Sequence, residues 1–119
     1  MSPLLVARTI AAGRAAIGAA MVVAPGRLAE AWVGSSSEPA RILSRGLGAR
    51  DVGLGIGTLV VLARGGDARA WVAAATLADA TDALSSVAAG DRIPAAGRWG
   101  VTALAGGAAL TGAWLLRAL

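Results

Sequence analysis

No histidine, cysteine, lysine, phenylalanine or tyrosine occurs among the 119 residues of this chain. Each absence closes a class of function. Without cysteine there are no disulfides and no thiolate metal sites. Without histidine or cysteine, ordinary zinc sites and His- or Cys-based catalysis are excluded. No cofactor motif and no metal-ligating cluster stands out, so neither a cofactor nor a metal is expected. Charge is scarce as well. Only 15% of residues are charged against 56% apolar, and the mean hydropathy is +0.68, whereas a soluble domain is usually about a quarter charged. The net charge of +4 comes from arginine alone. These arginines are scattered and no aromatic platform accompanies them, so nucleic acid is not an expected partner.

What the chain does contain is four apolar segments with turn signals between them. Leu4 to Ala24 is apolar apart from Arg8, Thr9 and Arg14, and Pro25-Gly26 stops it. It is long enough to cross a bilayer. A signal peptide is the rival reading for this segment, but Pro25 stands where a cleaved chain would begin, so a retained first span is expected. Leu28, Trp32 and Val33 can form one face of a short amphipathic piece lying in the interface. Ser37-Glu38-Pro39 suits a helix start. The second span runs over about 42–63, Arg64-Gly65-Gly66-Asp67 makes a turn, and the third span runs over about 70–90. Trp99 to Leu116 carries no charge within the fourth span, about 98–117. Trp32 and Trp99 then fall near one face of the bilayer and Trp71 and Trp114 near the other, as an aromatic belt requires. Five arginines on one face are matched by four arginines and the α-amino group on the other, so positive charge does not orient the chain. The termini are placed in the cytoplasm on general expectation.

The chain is organised around Ser44 to Leu59, where Arg50 and Asp51 sit between Gly46 and Gly48 on one side and Gly53, Gly55 and Gly57 on the other. In span three, Trp71, Ala75, Asp79, Asp82 and Ser86 follow one another at intervals of three or four residues and share a helical stripe. Depth brings these groups together. At about 1.5 Å per residue, Arg14 lies roughly 15 Å into span one, and Arg50, Asp51 and Asp82 lie about 12–13 Å from the face of the first connection. Asp79 is about 4–5 Å deeper. Two positive and three negative groups therefore occupy one layer, and Arg45, a turn nearer the surface, would neutralise it. Five unpaired charges at that depth would cost roughly 15 kcal/mol, so they must pair, face water or be protonated. Arg50 is expected opposite Asp82, which leaves the deeper Asp79 without a complete partner. Small residues that would allow close approach are Ala11, Ala15 and Ala19 in span one, Gly53 and Gly57 in span two, and Ala105, Ala109 and Ala113 in span four.

Other patterns carry less. GLGARD opens like a dinucleotide fingerprint, but its sixth position is Asp51 and no strand precedes it. Asp79-x-x-Asp82 can hold a cation or perform acid–base chemistry, or be an aspartate pair neutralised by arginine. Asp67 and Asp91 are turn residues, and Glu38 is a first-turn charge.

The string RGLGARDVGLG, with Arg69-Ala70-Trp71 and then LADATDAL, resembles a family of small actinobacterial membrane proteins of unknown activity that are loosely DoxX-like. The resemblance covers most of the chain, from Arg14 to span four, and implies a four-helix membrane bundle without implying a reaction. The chain also has the size and span count of small multidrug transporters. It departs from them in having Arg14 rather than a membrane-embedded glutamate in span one, and in lacking tyrosine.

The expected fold is thus an all-α, four-span transmembrane bundle forming one integral domain over 1–119, with a short interfacial segment between spans one and two. Three functions fit. The favoured one is a membrane subunit or scaffold held together by the Arg/Asp layer, since no nucleophile or cofactor motif is present. The second is a small intramembrane enzyme or binder for a lipid-like molecule, with Asp79 or Asp82 as acid or base and Arg14, Arg45, Arg50 and Asp51 as binding candidates. The third is a proton or ion path in an oligomer. The expected partners are the lipid bilayer of the cell membrane and either another membrane protein or a second copy of the chain.

Overall fold

Short capping signals divide the chain into five helices, which the computed structural model describes across residues 1–119. Helix α1, Pro3–Val23, starts where the Ser2 hydroxyl accepts the Leu5 N–H at 3.4 Å. It ends against Pro25, which has no N–H to continue the ladder and itself opens α2, Pro25–Val33. Helix α2 stops on Gly34, whose φ of 75° is a left-handed cap that glycine adopts without a Cβ penalty. Ser37 caps α3, Glu38–Ala63, by accepting the Ala40 N–H at 3.4 Å. The Asp67 carboxylate accepts the Arg69 N–H at 2.9 Å in the turn that leads to α4, Arg69–Ala89. A 3-10 turn, Gly90–Arg92, then precedes α5, Ala95–Ala118. There are no strands.

Three of these helices, α1, α3 and α5, are long and apolar enough to cross a membrane, which points to a membrane protein. Helix α4, of 21 residues, is not among them and carries Asp79 and Asp82 in its middle. Only 22 of 119 residues are buried, and Leu77, Leu84, Leu104 and Leu110 are exposed on α4 and α5. Of these, Leu77, Leu84 and Leu110 form an outward apolar surface, the reverse of what water would select, while Leu104 borders the gap between α1 and α5.

The helices associate as two antiparallel pairs. Helix α1 packs along α3 and α4 along α5. In the first pair the backbones nearly touch. A Cβ placed on Gly18 would lie 2.5 Å from the Gly48 carbonyl oxygen, and one on Gly55 would lie 2.5 Å from the Ala11 carbonyl oxygen. The buried Ser44 hydroxyl donates to the Met21 carbonyl oxygen at 3.1 Å on the same seam. Gly48 and Gly55 are two turns apart, so they share a face, and Ala11 and Gly18 answer them with the same spacing.

The seam departs from the Gly53 and Gly57 pairing expected from the sequence. Gly53 faces open space and Gly57 receives the Trp71 ring of α4. Ala11 and Ala105 are buried as expected, whereas Ala19 and Ala113 face outward. In the second pair, Gly112 admits the Thr76 side chain.

The ring of helices runs α1, α3, α4, α5 and does not close, because α5 and α1 scarcely meet. One end is shut by an apolar cluster of Ala7, Leu62, Ala68, Val72 and Leu115, against which Val6 and Leu119 pack. Arg69 donates to the Leu119 carbonyl oxygen there, so both termini lie at this end. Helix α2 lies across the other end, against α3 and α5.

Candidate functional site

Between the apolar cluster and α2, five charged side chains form an alternating ladder. On α4, Asp79 accepts from the Arg14 guanidinium of α1 through Oδ2. Arg14 also donates to Asp51 Oδ1 of α3 at 3.4 Å. The same oxygen accepts from Arg50 Nε at 3.1 Å. Arg50 then returns to α4, donating to both oxygens of Asp82 at 2.8 and 3.4 Å. The order is carboxylate, guanidinium, carboxylate, guanidinium, carboxylate. Planar arginine forks suit this role, because one guanidinium can bridge two acids.

The local sequence explains the placement. Asp79 and Asp82 are three residues apart and so leave α4 on one side. Arg50 and Asp51 are adjacent on α3, and the flexible arginine stem brings both heads into the interior. The ladder is the main link between the two helix pairs at this height, since α1 and α4 share little else.

Two expectations from the sequence need correction. Asp79 is not the unpaired member: it is buried and paired with Arg14. Arg45 does not join the set. It is half exposed and lies 4.0 Å from Glu38 on its own helix. Five residues separate Arg45 from Arg50, which is about 140° around a helix, so equal depth could not bring it to the same side. With Arg45 absent, the ladder holds two arginines and three aspartates, a formal charge of −1. The three carboxylates are spread along the ladder and do not form a metal-holding group.

The ladder is not packed shut. It forms the polar side of a cavity of about 510 Å³ that occupies the gap between α1 and α5, within the range of about 300–1,000 Å³ typical of ligand sites. Arg14, Asp51, Asp79 and Asp82 line it, but Arg50 does not. Its walls are apolar, with Ile10, Ile17 and Met21 from α1 and Val101, Leu104 and Ala108 from α5. The α5 lining extends from Ala96 to Thr111, about 22 Å along the axis at helical rise. The result is a slot rather than a sphere.

Helix α2 closes the upper end of the slot with Leu28, Ala31 and Trp32. The Trp32 indole N–H donates to the Ser86 hydroxyl at 3.0 Å, which ties α2 across the slot to α4. Gly97 makes this possible: its missing side chain lets α5 lie directly on the Trp32 carbonyl. Sequence reasoning placed Trp32 in an interfacial belt and did not join it to Ser86. The signal available was the α4 stripe, in which Ser86 is the next position after Asp82.

In chemical terms the site offers carboxylate and guanidinium groups beside an apolar slot and beneath one indole. In comparisons with known proteins, no family model, no curated protein and no solved structure matches this chain.

Proposed function

We propose that this chain is a four-span protein of the cell membrane that holds a lipid-like amphiphile in the slot between α1 and α5. The observation that carries this reading is the cavity itself. A ladder serving only to join helices would be expected to be enclosed by side chains, whereas four of its five members line open space. The wall opposite the ladder is apolar, as the tail of an amphiphile requires. The ladder also links the two helix pairs, so the scaffold role and the binding role fall on the same residues. All three carboxylates are engaged by arginine rather than set beside an activating base, so binding or presentation of the amphiphile is favoured over its chemical conversion.

Packing supports counting α4 as a fourth span. Helix α4 lies alongside α5 and against α3, turns its charges inward and presents Leu77 and Leu84 outward, so it shares their environment. Trp32 and Trp99 then mark one interface and Trp71 and Trp114 the other, α2 lies in the former, and the termini share the cytoplasmic side. A four-helix membrane bundle is also what the loosely DoxX-like resemblance implies. The protein should resist alkaline carbonate extraction, and reporters fused to either terminus should give the same sidedness. Release into the soluble fraction, or opposite sidedness, would refute the four-span reading.

Native mass spectrometry tests the bound amphiphile. Gly100 lines the slot, and a Cβ placed there meets nothing within 4 Å. Gly100→Phe should therefore fill the slot and remove a glycine from a helix, which favours folding. Wild-type protein released from nanodiscs should retain about one amphiphile per chain, the number that one slot of this size accommodates, and Gly100→Phe should release as the bare chain. Equal retention by both would remove the slot as the binding place.

A further inference from the structure

The charge of the ladder selects the head group. Resting on the slot as the binding place, we propose that the amphiphile carries a single positive charge, as an amine or quaternary ammonium, seated beside Asp79 and Asp82 and below Trp32.

Three observations meet at this point. The first is the arithmetic of the ladder: two guanidinium groups against three carboxylates leave one negative charge. In a low-dielectric site such a residue of charge is stabilised by a counter-ion of the opposite sign. The second is which members face the slot. Three carboxylates line it but only one of the two arginines, because Arg50 lies behind them. A ligand in the slot therefore meets more negative than positive charge. Asp79 is buried, with Oδ2 on Arg14, and no protein hydrogen bond reaches its Oδ1. Asp51 likewise takes both of its arginine donors on Oδ1. Asp51 and Asp79 thus each keep an oxygen for a further cationic or hydrogen-bonding group, while Asp82 gives both of its oxygens to Arg50.

The third observation is the indole. Trp32 is held by Ser86, which lies one turn along α4 from Asp82. An aromatic ring and carboxylates lining one slot suit an ammonium group, since an aromatic ring attracts a cation that the acids neutralise. The apolar walls run on past the ladder to Thr111, which gives the tail its place. An anionic head would face three acids, and a neutral head would leave the negative charge uncompensated.

The test uses wild-type protein in nanodiscs of zwitterionic lipid. Equilibrium binding is measured for three amphiphiles with the same tetradecyl tail and a trimethylammonium, sulfate or maltoside head. The specific part is the binding lost in Gly100→Phe. The trimethylammonium compound should bind at least about tenfold more tightly than either of the others, a ratio that one uncompensated charge in a poorly solvated site readily supplies. Asp51→Asn and Asp79→Asn each bring the formal charge of the ladder to zero, and whichever folds should lose most of that preference.

Equal specific binding of all three heads, or a preference for the sulfate, would overturn the proposal while leaving the slot as a binding place. Binding of every head that is unchanged in Gly100→Phe would show that the slot is not used at all, and both readings would fall together.

Discussion

Arg14→Ala should be the most damaging single change in the ladder. Arg14 is 9% exposed and serves two acids at once, Asp51 on α3 and Asp79 on α4. Its loss strands Asp79, which has no other basic partner, and removes the only ladder contact between α1 and α4, leaving Arg50–Asp82 to join the two helix pairs. Breaking a buried pair in this way costs about 3–5 kcal/mol. The corresponding Arg50→Ala change strands Asp82 in the same way but should cost less, because Arg50 and Asp82 are both more exposed than Arg14 and Asp79.

Thermal unfolding of detergent-solubilised protein would rank the two variants. A cycle with Asp79→Ala adds a sharper test. The Arg14→Ala, Asp79→Ala double variant should be less damaged than the sum of its singles, because no orphan acid remains at position 79. Additive losses would mean that the two residues do not interact.

The second large effect concerns the α1–α3 seam and changes sign along one helix. A Cβ on Gly48 would lie 2.5 Å from the Gly18 carbonyl oxygen and 2.7 Å from the Met21 Cβ, so the backbones would have to separate. Gly55 is in the same position against Ala11 and Ala15. Gly48→Ala and Gly55→Ala should each destabilise by about 1–3 kcal/mol, the usual cost of overpacking a tight contact. Gly46 and Gly53 lie on the same helix and have nothing within 4 Å of an added Cβ. Alanine there should be neutral or stabilising by up to about 1 kcal/mol, because glycine in a helix interior is unfavourable. Equal effects at all four positions would mean that the close approach is not where the structure places it.

The sequence made the layer legible because depth along a helix is a matter of counting. Helical rise alone put Arg14, Arg50, Asp51, Asp79 and Asp82 at one height, and the Arg50–Asp82 pairing followed. Direction around the helix was harder to read. Arg45 has a suitable depth but points the wrong way, and Asp79 gained a partner because the long Arg14 side chain reaches across the interior. Periodicity failed for a related reason in the glycines. In a chain with 17 of them, the i, i+4 pair Gly53 and Gly57 was conspicuous, but the seam uses Gly48 and Gly55, two turns apart.

The slot itself was not legible. It exists because α5 and α1 leave the ring open, and no residue pattern marks a contact that is not made. Its upper end was equally hidden, since it depends on Gly97 admitting the Trp32 backbone. The apolar segments, by contrast, were read closely, because caps and turns are local. The start of α3 is an example: Ser37-Glu38-Pro39 reads as a helix start, and Ser37 caps the helix that begins at Glu38.

Trp32 reports directly on whether an amphiphile enters the slot that the charged ladder borders. A variant with Trp71, Trp99 and Trp114 replaced by phenylalanine keeps one indole, at the end of the slot. Brominated single-chain amphiphiles, tested across several head groups in nanodiscs, quench an indole that they touch. Quenching of Trp32 should saturate for at least one head group and lose its saturable part in Gly100→Phe. Quenching that rises linearly with membrane content for every head group, and is the same in both proteins, would contradict the account.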